Sequence, residues 1–252
     1  MQREAFFRFL LPGSAAQDPQ AVPPGQPDRR AEFCDFDLFQ TSAQTRSLDE
    51  RPLAGLTYTV FDTATTGMNP FEGDEIIQSG ATRSVNGKLL RHECFDRLVD
   101  PQRAMLPASI VIHGIQPEVL VGPPKILAVL PVFHAFAHDT GLVAHNAAFD
   151  MRFLQLREAA SGLRFDQPVL GTMLLSAGVH PNQESHRLEA IAEAIAERRG
   201  VSVTGRHTAV GDACVTADVF LRLLPLLRAR SVHTLGEARA AALQTHQARL
   251  KY

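Results

Sequence analysis

The chain has 252 residues, 45% of them hydrophobic and 21% charged, enough for one large domain or two small ones with a sizeable core. A formal net charge of −2 gives no global basic field pointing to nucleic acid or an anionic membrane, although a local basic patch around acids can sum to nearly zero. The three cysteines, Cys34, Cys94 and Cys214, have no paired spacing, and no apolar run reaches the ~18 residues of a membrane span. The expectation is a cytoplasmic protein without a secretion signal or membrane contact, with Cys94 and Cys214 as buried small hydrophobes.

In chain order, "MQREAFFRFLL" predicts a short amphipathic helix, and Pro12 to Arg30 an extended linker rich in proline. Phe33 to Phe39, "FCDFDLF", predicts a half-exposed segment docked on the main domain, with Asp35 and Asp37 outside any metal site. The expected division is an N-terminal arm and linker over residues 1–49, a main domain over 50–230 and a C-terminal helix over 231–252.

Three strands are expected first, at Thr57–Asp62, Glu75–Val85 and Leu90–Val99, the last two joined at Asn86-Gly87, a strong hairpin signal. Helical spacing follows over Lys125–His138, then a short apolar strand, "GLVAH", and a helix over about Ala148–Ala160. Further helices fit Leu188–Arg199, closed by Gly200, and about Gly211–Leu227. A hairpin followed by alternating strands and helices predicts an α/β fold, a mixed central sheet flanked by helices.

Three acids stand where the chain passes from buried to exposed. Asp62 ends the first strand, Asp150 opens the helix after "LVAHNAAF", and Asp212 starts the helix after "HTAVG". Oxygen ligands drawn from distant segments suit Mg²⁺ or Mn²⁺. Taken singly, Asp150 and Asp212 also fit a plain role at a helix N-terminus.

Together, "FDTATTG", "AHNAAFD" and "RHTAVGDA" resemble, in order and spacing, the motifs of the DEDDh family of 3′–5′ exonucleases, which includes the epsilon proofreading subunit of bacterial DNA polymerase III. The resemblance runs from about Thr57 to Leu227, with softer matches at "GDEIIQSGA" and "IHGI". It implies a ribonuclease-H-like mixed five-stranded sheet flanked by helices. It also implies two-metal hydrolysis of phosphodiester bonds at the 3′ end of DNA. By that resemblance Asp62, Asp150 and Asp212 are the metal ligands and His207 is the general base. His207 is expected on the loop before the helix, because five residues along one helix would turn the two side chains roughly 140° apart. A histidine of ordinary pKa suits activation of water.

Two positions depart from the family. Where it has glutamate, two residues after the first aspartate and on the same strand face, this chain has Ala64, which offers no oxygen. Where it usually has aspartate before "T(L/M)LLS", this chain has Gly171. Glu72, Asp74 and Glu75 lie near by, but "GDEII" is ordinary family sequence and no replacement ligand is expected there. Activity reduced by Ala64 is therefore expected, with one ion bound rather than two.

The expected substrate contacts are Thr65, Thr66 and Gly67 at the turn after the strand, Met68 and His113 against the terminal bases, and Asn146 beside His145. Arg152, Arg187, Arg206 and Lys125 are candidates for phosphate contacts. Single-stranded or frayed 3′ ends of DNA are the expected partner. The residues do not separate DNA from RNA, and replication or repair partners rest on the resemblance alone. Two other readings stay open: an impaired pseudo-exonuclease that binds nucleic acid without turnover, and a protein-interaction module.

Overall fold

The structure, a computed structural model, describes residues 43–199 and 208–250. The expectations for the N-terminal arm, Cys34, Gly200, Arg206 and His207 lie outside those residues. Five strands form one sheet in the order β3-β2-β1-β4-β5: β1 Thr57–Thr65, β2 Ile76–Val85, β3 Lys88–Leu98, β4 Gly141–Ala144 and β5 Val169–Gly171. Strands β1, β2 and β3 pair antiparallel, whereas β4 and β5 run parallel to β1. The mixed five-stranded sheet expected from the sequence is present.

The β2–β3 turn has Asn86 and Gly87 both at positive φ, 50° and 71°, the geometry that makes Asn-Gly a hairpin signal. Strand β1 runs three residues beyond the expected end at Asp62. Pairing with β2 carries Thr63, Ala64 and Thr65 as strand, with an irregularity between Ala64 and Thr65, so Thr65 belongs to the strand and not to the turn expected after it.

Nine helices are described: α1 Ala43–Asp49, α2 Pro107–His113, α3 Ile126–Ala137, α4 Ala147–Gln155, α5 Glu158–Ser161, α6 Thr172–Val179, α7 Leu188–Arg199, α8 Ala209–Arg228 and α9 Leu235–Leu250. The single helix expected over Ala148–Ala160 is two, α4 and α5, broken at Leu156–Arg157. Helices α2 and α6 have no counterpart in the periodicity reading.

Alternation along β1 feeds two cores. Tyr58 and Val60 pack with Leu188 and Ala192 of α7 and with Val215, Phe220 and Leu223 of α8. Phe61 faces the other way, into a cluster with Phe133 of α3 and Met151 and Leu154 of α4. Helix α9 adds Leu235, Ala238 and Ala242 to the first core, and Arg239 ties it to Asp49 of α1 at 2.9–3.0 Å. A central strand buried on both faces thus ends in acid, with one helical layer on each side.

Two cysteine expectations are corrected. Cys94 is exposed, because it alternates with the buried Phe95 on the edge strand and so faces the opposite side. Cys214 on α8 is only partly buried, and that burial raises its thiol pKa. Among the described residues no helix is long and apolar enough to cross a membrane.

Candidate active site

One cleft of about 210 Å³ opens at the end of β1. Asp62, Asp150 and Asp212 line it, together with Ala64, Thr65, Met68, His113 and Asn146. Each aspartate arrives from a different element: Asp62 on β1, Asp150 in the first turn of α4 and Asp212 in the first turn of α8.

Helix α8 reaches the site because β2 lets it approach. Gly80 pairs directly with Asp62 across the β1–β2 ladder. A Cβ on Gly80 would lie 2.0 Å from the Val210 nitrogen and 2.2 Å from the Ala209 carbonyl carbon. No real side chain fits there, so the absent Cβ is what seats the α8 N-terminus beside Asp62. Two residues on, Gln78 pairs with Ala64 and accepts a hydrogen bond from the Ala209 N–H at 3.1 Å, while its amide donates to Asp96 at 2.8 Å. Thr208 caps the same helix by accepting from the Gly211 N–H at 3.1 Å.

Asp150 comes from the opposite layer. The Thr63 main-chain N–H and its hydroxyl both donate to Asp150 Oδ1, at 3.0 and 2.7 Å. Burial raises the Asp150 pKa to about 7, and the two Thr63 hydrogen bonds oppose that rise. Asp62 is also pushed well above the usual carboxylate range, first by burial, then by the charges of Asp150, Asp212 and Glu189.

A further ring of polar contacts holds the "HNAAFD" turn. His145 is buried and its Nδ1 lies 2.8 Å from the Thr172 hydroxyl of α6; burial lowers its pKa to about 4. His186 pairs likewise with Ser176 at 3.0 Å. Asn146 is the residue before α4, and its carbonyl accepts from the Phe149 N–H at 2.9 Å.

Not every predicted contact reaches the cleft. Thr66 is buried and its hydroxyl donates to Asp74 at 3.0 Å; a Cβ at Gly67 would meet the same carboxylate at 2.2 Å. Both residues therefore shape the turn around Asp74 and do not line the cavity. Of the neighbouring acids, Asp74 also accepts from the Asn69 N–H and faces Arg103, and Glu75 pairs with Arg157. Arg187 lines the cleft, whereas Arg152 stacks over Phe71 at 4.1 Å and Lys125 precedes α3. Glu189 on α7 and Phe149 on α4 line the cleft without having been singled out in the sequence. Phe149 stands inside the "AHNAAFD" motif beside Asp150, whereas Glu189 lies in no motif and only the fold brings it in.

The donor set is hard oxygen, with Asp150 buried, Asp62 and Asp212 partly buried, and Asp62 under the charges of the other two, which fits a divalent cation. Among the described residues no group of three or more His, Cys, Asp or Glu side chains is drawn together closely enough to hold a metal ion by itself. Magnesium-like ions are commonly held by one or two carboxylates, with waters and substrate phosphate completing the shell.

The mixed five-stranded sheet flanked by helices is a ribonuclease-H-like fold. Residues 59–220 match the exonuclease family, and the chain belongs to that family. It is 46% identical over 237 residues to a DNA polymerase III subunit epsilon-like protein of Rhodobacter capsulatus, covering 92% of this chain and 33% of that relative. It is 34% identical over 190 residues to a PolC-type DNA polymerase III of Thermotoga maritima, covering 75% of this chain and 13% of the relative. The chain thus spans a third or less of these relatives' length. Among solved structures, exonuclease X in complex with 5′ overhanging duplex DNA superposes with a TM-score of 0.55 at 22% identity, covering 73% of this chain and 99% of that one. The nuclease domain of 3′hExo, a DEDDh family member bound to rAMP, gives 0.56 at 17%, covering 70% and 94%.

Proposed function

We propose that the protein is a 3′–5′ exonuclease acting on DNA ends, with activity reduced by Ala64. The observation that carries this reading is the convergence of Asp62, Asp150 and Asp212, from three separate elements, on one cleft. DNA as the substrate is supported by the epsilon-like relative and by the neighbour solved with overhanging DNA, and the 3′–5′ direction rests on the motif resemblance.

Asp62, Asp150 and Asp212 would hold Mg²⁺ or Mn²⁺, whose chemistry there is to activate water and neutralise charge on the phosphate. Met68, Ile112 and Phe149 give the cleft an apolar wall against which a terminal base can lie. His113 stands on the same wall, its pKa lowered by burial, with its Nδ1 accepting from the Ile115 N–H at 3.0 Å. Asn146 lines the cleft beside Asp150 and fits contact with the sugar-phosphate chain. His207 is the proposed proton acceptor, on the motif resemblance alone.

Ala64 packs with Ile77 and Leu120 in a small apolar cluster and contributes no oxygen. The test is hydrolysis of 3′-labelled single-stranded DNA with Mg²⁺ or Mn²⁺ by the chain and by Ala64→Glu. Weak hydrolysis is expected from the first and at least ~10-fold more from the second. DNA binding without hydrolysis by either would replace this reading with that of a binding module.

A further inference from the structure

The proposed chemistry asks for a fourth carboxylate, and position 64 of this chain does not carry it. The acids nearest in sequence are committed elsewhere: Asp74 to Thr66, Asn69 and Arg103, and Glu75 to Arg157. Among the described residues, four carboxylates line the cleft, and the fourth is Glu189.

Its position follows from the core. Tyr58, Val60, Asp62 and Ala64 alternate onto one face of β1. Leu188 and Ala192 of α7 belong to the same core as Tyr58 and Val60, with α8 packed against β1 and α7 packed against α8. Leu188 reaches both this core and the cleft, and Glu189 follows it in the first turn of α7. Glu189 therefore stands on the wall of the cavity that Asp62 and Ala64 also line.

We infer that Glu189 supplies toward the divalent ion the carboxylate that position 64 lacks. This rests on the proposed function above and deepens it: the acid set is rebuilt from three aspartates and one glutamate, the glutamate arriving from a helix rather than from β1. A side chain at a helix N-terminus also has a purely structural use, since an acid there favours the helix dipole. The two roles separate by experiment.

Mn²⁺ affinity of the full chain, without DNA, is measured by electron paramagnetic resonance for wild type, Glu189→Gln, Glu193→Gln, Ala64→Glu and the Ala64→Glu/Glu189→Gln double variant. Hydrolysis of labelled DNA is followed in parallel, and metal-free thermal midpoints check folding. Glu189→Gln is expected to lose at least ~10-fold in Mn²⁺ affinity, while Glu193→Gln, an exposed acid one turn along α7, matches wild type. Ala64→Glu is expected to recover more affinity in the Glu189→Gln background than it adds to wild type, the signature of two groups serving one role. Wild-type Mn²⁺ affinity in Glu189→Gln, or no recovery on adding Ala64→Glu, overturns the inference while leaving the exonuclease reading standing. A wild-type chain that neither binds Mn²⁺ nor hydrolyses DNA overturns both.

Discussion

Thr63 holds Asp150 twice, and both hydrogen bonds end on the same oxygen: the main-chain N–H at 3.0 Å and the hydroxyl at 2.7 Å reach Oδ1. The acid of one helical layer is thereby fixed to the strand that carries Asp62. Thr63→Val keeps the shape and the main-chain bond but removes the hydroxyl donor. Divalent affinity should fall about 10-fold and stability by ~1 kcal/mol, and Thr63→Ser should recover the affinity. Mn²⁺ titration and urea denaturation check this; full affinity in Thr63→Val would make the hydroxyl dispensable.

Gly80→Ala tests the seat of α8. The added methyl would meet main-chain atoms of Val210 and Ala209 at 2.0–2.2 Å, so the helix that bears Asp212 must move. A loss of ~2–3 kcal/mol is expected in denaturant unfolding, along with loss of nuclease activity. A variant of wild-type stability would show that α8 can shift without cost.

Gly171 is the opposite case. Its φ of −101° is open to any residue, and a Cβ would meet nothing closer than 3.6 Å. Gly171→Ala should raise stability by ~0.4–1 kcal/mol by restricting the unfolded chain. Gly171→Asp should fold too, since it places a capping acid at the start of α6. A thermal midpoint below wild type in both would refute the reading that this site has room.

The buried acids make the metal-free protein sensitive to alkali. The folded-state pKa of Asp150 is about 7, above its unfolded value, so its contribution to stability is full in acid and is lost as pH rises through about 7. Asp62 shifts in the same direction. Asp150→Asn keeps an Oδ1 acceptor for Thr63 and removes the charge. In EDTA it should melt higher than wild type at pH 8, with the gap closing as pH falls toward 4. Thermal melts across that range are the measurement, and a gap independent of pH would rule out Asp150 as the source.

The acids were legible in the sequence because each sits in a local string that also marks a strand end or a helix start. "FDTATTG", "AHNAAFD" and "HTAVGDA" carry both the element and its chemistry. What the sequence could not carry is reach between elements. Gly80 reads as a break in an apolar strand until the ladder sets it opposite Asp62. Glu189 reads as an ordinary first-turn acid until the fold sets it on the wall of the cleft. Thr66 and Gly67 follow the motif, yet Asp74 draws them into the turn and away from the cavity. Strand β5, three residues long, and α6, buried along most of its length, lack the alternation or amphipathic stripe by which such elements are read.

Gln78 has a consequence of its own. The Ala209 N–H can only donate and the Asp96 carboxylate can only accept, so the amide is held with its oxygen toward α8 and its nitrogen toward β3. Glutamate at 78 could serve the helix but would repel Asp96; lysine could serve Asp96 but leave the helix nitrogen unmet. An ionised side chain can satisfy one neighbour or the other, never both. The outermost strand of the sheet and the helix bearing Asp212 are coupled through one uncharged hinge-pin, and displacing the rim would be felt at the catalytic end.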